Sequence, residues 1–187
     1  MKLNSQFFLV LATLVAVIAL RLVPHLPNFS PLCAIALFGA AHFRNRWFAY
    51  TLPLLAIVIS DVLVNNILYA QYFNGFTVFY EGCWWQYAAY SVIILGATAW
   101  FQRGISAVTV LGGAFGASLL FFLLSNFGVW AGSAIYPQNA AGLLACYAAG
   151  LPFLQNTLAS DVLFSGVLFG MFALVERLSQ RLAVVRA

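Results

Sequence analysis

Cys83 is the residue with the most chemical potential in this chain. It follows Gly82 at the mouth of an apolar stretch, in the run Glu81-Gly82-Cys83-Trp84-Trp85-Gln86. A thiolate is a soft ligand suited to a polarisable metal centre, and a helix N-terminus favours the ionised thiol. The plainer reading of a membrane cysteine is a small apolar filler, and Cys33 and Cys146 are read that way. The three cysteines show no C-x-x-C spacing, and an odd number excludes a complete disulfide framework. Two carboxylates, Asp61 and Asp161, fall inside apolar stretches, where a charge costs about 2.5 kcal/mol or more. Arg21 is the expected ion-pair partner of one of them, and the pair Arg21 and Asp61 also has a purely structural reading. Asp161, followed back to Asn156 and Thr157, is better placed for a polar ligand. His25 and His42 fall on opposite faces, which disfavours a bis-histidine haem or metal site. His25 suits ligand contact or loop bracing equally. No Ser sits in a G-x-S-x-G elbow.

The elements that must position these residues are membrane helices. The chain is 64% hydrophobic and 6% charged over 187 residues, with a mean hydropathy of +0.98, far from the roughly 25% charge of soluble domains. Spanning helices of about 20 apolar residues are read near residues 5–23, 31–43, 47–68, 84–102, 105–124 and 155–176. The second is short, so it is tilted or partly re-entrant. The expectation is one all-α polytopic domain, 1–187, of six transmembrane helices with long structured outer loops. Lys2, Arg44, Arg46, Arg103, Arg177, Arg181 and Arg186 then share one face and only Arg21 the other. The positive-inside rule makes the crowded face cytoplasmic, with both termini there. The N-terminal run reads as a retained signal anchor, because no A-x-A-type site follows it. The net charge of +4 is scattered over membrane anchors, so nucleic acid is not an expected partner and the lipid bilayer is. No phosphate-binding loop is present, so any ATP must be hydrolysed by another subunit, and no intrinsic cofactor is expected.

The outer connections carry the unusual composition. Pro24 to Pro31 holds three prolines in eight residues and reads as a stiff cap. Tyr69 to Gly82 mixes Gln71, Asn74 and Glu81 with six aromatic residues. Ser125 to Gln155 has no charge, is too long for a structureless loop, and contains Ala140 to Leu151, which reads as a re-entrant or interfacial helix folded over a pocket. From 1.5 Å per residue, Asp161 is expected about 9 Å below the outer end of the sixth span. Trp84, Trp85, Tyr87, Tyr90, Trp130 and Tyr136, near Asn126, Gln138, Asn139 and Asn156, offer flat rings and amides to a bulky amide-bearing ligand. A bilayer aromatic belt has the same composition. Ala12, Ala16 and Ala19 form a small-residue strip for close helix approach, and Gly112, Gly113 and Gly116 a second.

These residues together carry a resemblance. Arg21, Pro24-His25, Pro27-Asn28-Phe29-Ser30-Pro31, Ser60-Asp61, Ser125-Asn126-Phe127-Gly128-Val129-Trp130, Tyr136-Pro137, Gly142-Leu143, Cys146-Tyr147, Leu151-Pro152-Phe153, Asn156-Thr157 and Asp161 resemble small bacterial membrane proteins related to the substrate-binding S components of energy-coupling factor (ECF) transporters. The cysteine opening the fourth span resembles that of the BtuM proteins, solitary S components for cobalamin. The resemblance implies a six-helix bundle in the bacterial inner membrane, with a ligand pocket under the outer loops. It implies Cys83 as axial ligand to the cobalt of cobalamin, able to displace cyanide from cyanocobalamin. The candidate pocket walls are His25, Asn28, Asp61, Tyr80, Trp84, Trp85, Tyr87, Asn126, Trp130, Tyr136, Asn156 and Asp161. It further implies docking to an ECF coupling module through Ala12 and Ala16. The alternatives are an S component for another vitamin or precursor, and a membrane enzyme using Cys83 as nucleophile or redox thiol, which lacks a visible partner base or resolving cysteine.

Overall fold

The computed structural model describes residues 15, 18–19, 21–23, 26–43, 45–132 and 134–185, with side chains to 181. Ala12, Ala16, Pro24, His25 and Arg44 lie outside the described residues, as do Lys2 and Arg186. The described chain is helical without strands. Its elements are α1 (Leu32–His42), α2 (Arg46–Ile67), α3 (Cys83–Trp100), α4 (Ala107–Gly132) and α5 (Ala140–Val185). Single 3-10 turns at Ala70–Tyr72 and Phe101–Arg103 complete it. Three helices, Arg46–Ile67, Ala107–Gly132 and Ala140–Arg181, are long and apolar enough to cross a membrane. α3 is 18 residues long, but its first turn carries Trp84, Trp85 and Gln86 and is correspondingly less apolar.

α1 forms the centre. Its 11 residues rise only about 16 Å, half a hydrocarbon core. Residues 32–40 are buried on every side, as expected of a helix apolar all round. Its small residues permit this: Gly39 faces Pro53 of α2 so closely that a Cβ would overlap the proline ring. Phe38 packs edge-on against Phe169 and Phe172 of α5, with ring centroids 5.3 and 5.6 Å away. The tight turn expected between residues 101 and 105 is present. Trp100 Nε1 donates to Thr109 O at 2.8 Å across it, and Arg103 lies 5.3 Å above the Trp100 ring.

The segment 125–155 differs from expectation. Ser125–Gly132 are the last turns of α4, and Ala140–Leu151 are the first turns of one helix that continues through Pro152 to Val185. They form neither a re-entrant helix nor a loop. A proline deletes one backbone hydrogen bond, which helix neighbours and local adjustment accommodate in apolar helices. Only residues 133–139 separate α4 from α5, and this tip is tightly tied. Trp130 Nε1 donates to Pro137 O (2.9 Å), Gln138 Nε2 to Trp130 O (2.6 Å), and Gly142 N to Asn139 Oδ1 (2.9 Å). Asn139 is thus an N-cap, and Gly142 leaves room for the Pro137 carbonyl, which a Cβ would strike. Because α5 starts at 140, Asp161 lies 21 residues from its beginning, about 32 Å rather than 9 Å.

Candidate functional site

Residues 26–31 are held over the bundle by their own carbonyls. Asn156 Nδ2 donates to Pro27 O (2.9 Å), while Thr157 Oγ1 and Ser160 Oγ lie 3.4 and 3.2 Å from Asn28 O and Ser30 O and share their single protons with the nearer α5 carbonyls of Phe153 (3.0 Å) and Thr157 (2.9 Å). Successive turns of one face of α5 thereby fix an irregular segment that has no helical pairing of its own. Asn28 takes φ +59°, a left-handed conformation that Asn tolerates better than most residues.

Beneath this segment lie two adjoining cavities. The larger, about 410 Å³, is bounded by α1, α3, α4 and α5 and lined by Cys33, Tyr90, Asn126, Tyr136, Cys146 and Thr157 among others. The smaller, about 340 Å³, lies between the C-terminal end of α2 and the 69–80 connection, where Asp61, Asn65, Tyr69, Tyr72 and Tyr80 line it. Arg21, Asn28, Ser30 and Gln86 line both, so the two are lobes of one site.

Among the described residues, the only charges at their junction are paired. Arg21 Nη1 bonds Asp61 Oδ1 and lies 2.6 Å from Ser60 Oγ. The two side chains are 14% and 3% exposed, so the pair is desolvated and its Coulomb attraction is weakly screened. Among the described residues, Ser30 Oγ, Asp61 Oδ2 and Asn65 Nδ2 are buried with no hydrogen-bond partner, an unsatisfied state that costs about 1–3 kcal/mol per group. Tyr80 in the connection between α2 and α3 keeps its phenol proton more tightly than usual, because burial and then the negative charge of Asp61 disfavour the phenolate.

Cys83 opens α3 after Gly82, whose φ of +82° makes the chain turn sharply into the helix. The Cys83 N–H donates to Tyr80 O at 3.2 Å. Cys83 is wholly buried and lines neither lobe. Gln86 and Tyr90, three and seven residues on, lie on the same helical stripe and do line the site. Cys33 and Cys146, read as apolar fillers, are buried but reach the wall of the larger lobe.

Of the anticipated wall residues, Asn28, Asp61, Tyr80, Asn126 and Tyr136 line the lobes. Tyr87 is half-buried, with its hydroxyl buried near Asp61, and lines neither. Trp84 is 64% exposed and packs on Phe79. Trp85 lies against Gly128, where a Cβ would collide with it, and against the Phe127 ring at 5.2 Å. Trp130 braces the α4–α5 tip and Asn156 the 26–31 segment. Asp161 is below the cavity floor, bonded by Ser118 Oγ to Oδ2 at 2.5 Å. Sequence reasoning missed Gln86, Ser30 and Asn65 as wall residues. Gln86 was signalled by its i+3 spacing from Cys83, whereas Ser30 and Asn65 had no such signal. Among the described residues no three His, Cys, Asp or Glu side chains group to hold a metal ion.

Residues 1–182 match a family model described as a family of unknown function, DUF6580, and the chain belongs to that family. No curated protein and no solved structure matches it.

Proposed function

Taking this DUF6580 chain as a membrane protein, we propose that it is a six-span substrate-binding subunit of the bacterial inner membrane. It captures cobalamin from the outer face and delivers it inward, alone or docked to an ECF coupling module. Both termini are cytoplasmic in this reading. The observation that carries it is the α3 stripe, in which Cys83 continues the line of Gln86 and Tyr90 that faces the two-lobed cavity. A single thiol with no companion metal ligands suits a metal that brings its other ligands with it, as corrin cobalt does. The three unpaired donors and acceptors around the smaller lobe suit carboxamide groups. The paired Arg21 and Asp61 leave the wall without net charge.

Binding in this reading requires opening. Cobalamin is larger than either lobe, and Cys83 is sealed by the turn that precedes it. The 69–82 connection and the first turn of α3 must therefore separate for sulfur to reach cobalt. With cyanocobalamin, the thiol proton leaves, a sulfur–cobalt bond forms, and the cobalt–carbon bond breaks with its electron pair departing on cyanide. Cobalt keeps its oxidation state, so no reductant is needed.

Visible spectroscopy of the purified protein with cyanocobalamin and hydroxocobalamin tests this. A shifted corrin spectrum lost in Cys83→Ala is expected. An unshifted spectrum, the same in both proteins, refutes cobalt ligation. A second reading is favoured by the closure of Cys83: an S component whose smaller vitamin or precursor fills the 410 Å³ lobe, a volume typical of small-molecule sites. Growth of a cobalamin-dependent strain lacking its own uptake system separates the two, since rescue requires corrinoid transport.

A further inference from the structure

Asp161 has no part in the proposed cobalt chemistry, yet it is the least ordinary buried group in the bundle. It is 0% exposed in the middle of α5. Ser118 Oγ of α4 donates to Oδ2 at 2.5 Å, while Oδ1 has no well-formed hydrogen bond. The titratable groups that face it are Cys33 of α1, whose thiol lies beside the carboxyl, and Tyr90 of α3. The described cation nearest the site, Arg21, is committed to Asp61. One turn along α5, Ser165 Oγ is also buried without a partner.

A carboxylate cannot remain charged there cheaply, because it is 0% exposed and no described Lys or Arg side chain forms an ion pair with it. Two species could neutralise it. A hard metal cation needs about six oxygen ligands, and among the described residues no three His, Cys, Asp or Glu side chains group around Asp161, whose bonded neighbour is the Ser118 hydroxyl. A proton needs one oxygen, and Oδ1 has no well-formed hydrogen bond among the described residues. Cys33, beside the carboxyl, lines the cavity, as does Thr157, one helical turn from Asp161.

We propose that Asp161 is a proton-binding site under the cavity floor. The carboxyl carries a proton while the cavity is closed, and surrenders it to water when the cavity opens. In that step the O–H bond breaks, its electron pair stays on the carboxylate, and the proton leaves on water. Opening of the outer face is thereby linked to release of one proton, whatever molecule fills the site.

Infrared spectroscopy of the ligand-free protein in lipid at neutral pH tests this without any assumption about the cargo. The expected result is a protonated-carboxyl C=O band that shifts on [4-13C]aspartate labelling, shifts again in Ser118→Ala, and disappears in Asp161→Asn. The chain contains two aspartates, Asp61 and Asp161, so a second variant, Asp61→Asn, must retain the label-sensitive band, and its loss there assigns the band to Asp61 and overturns the proposal. Absence of a label-sensitive band, or its persistence in Asp161→Asn, overturns the assignment. Its replacement by a carboxylate signal on exchanging K+ for Na+ at constant ionic strength overturns it in favour of a metal cation. Asn156→Ala, which frees the Pro27 carbonyl, is expected to weaken the band at the same pH. A full-strength band in that variant, with deuterium exchange at 26–31 accelerated, refutes the link to opening.

Discussion

Removing Arg21 exposes the strongest electrostatic dependence in this fold. In Arg21→Met, Asp61 loses its cation while remaining 3% exposed, and Ser60 loses its bond to the guanidinium. Breaking one partner of a buried pair costs about 3–5 kcal/mol, because the survivor is left charged and desolvated. For a chain of this size each kcal/mol moves the unfolding midpoint by about 2–4 °C, so a fall of roughly 6–20 °C is expected. Asp61→Asn strands Arg21 instead and is expected to cost a similar amount. The double variant holds neither charge. What it loses are two hydrogen bonds, about 0.5–1.5 kcal/mol each, so it should be more stable than either single variant, with a coupling of at least about 2 kcal/mol. The assay is thermal and denaturant unfolding of the four purified proteins in one lipid or detergent. Single variants within about 1 kcal/mol of wild type, or a double variant equal to their sum within about 0.5 kcal/mol, refute the claim that the pair is desolvated and mutually dependent.

Two further outcomes follow from the site. Tyr80 holds its proton more tightly in the folded protein than in the unfolded chain. Its contribution is therefore full below the unfolded phenol value near 10 and is lost as pH rises above it, because the unfolded state ionises first. Unfolding midpoints between pH 8 and 11 should fall more steeply in wild type than in Tyr80→Phe, and equal slopes count against a buried phenol. Asn156→Ala removes the bond to Pro27 O and should cost about 1 kcal/mol. Hydrogen exchange at residues 26–31 should accelerate while α5 stays protected, and unchanged exchange there shows that Asn156 does not hold the segment.

Much of the site was legible because it follows from local chemistry. A lone Arg on the uncharged face and a carboxylate in an apolar stretch must find each other, and Arg21 and Asp61 do. Asn28, Asn126 and Tyr136 were visible as polar or aromatic residues with no reason to face lipid, and all three line the cavity. The α4–α5 tip was not legible. Leu151-Pro152-Phe153 reads as an interruption, but the helix on either side of Pro152 is apolar, and one missing hydrogen bond does not end it. The tryptophans misled for a related reason. An indole between water and lipid, one stacked on a glycine and one lining a ligand pocket have the same sequence signature, and packing alone assigns Trp84, Trp85 and Trp130 to bracing or exposure.

The sequence by itself determined that this is an all-helical chain with helices able to cross a membrane. It also determined that a few carboxylates and amides are forced into costly surroundings. These follow from transfer free energies, which each residue carries wherever the chain takes it. The tertiary structure decided that the 11-residue α1 is the buried post of the bundle, and that α5 passes straight through its proline. It also decided that Cys83 is sealed one turn from a two-lobed cavity, and that Asp161 pairs with Ser118 instead of lining a pocket. Those depend on which small residues let helices touch and where the leftover space falls, and both are properties of several segments at once.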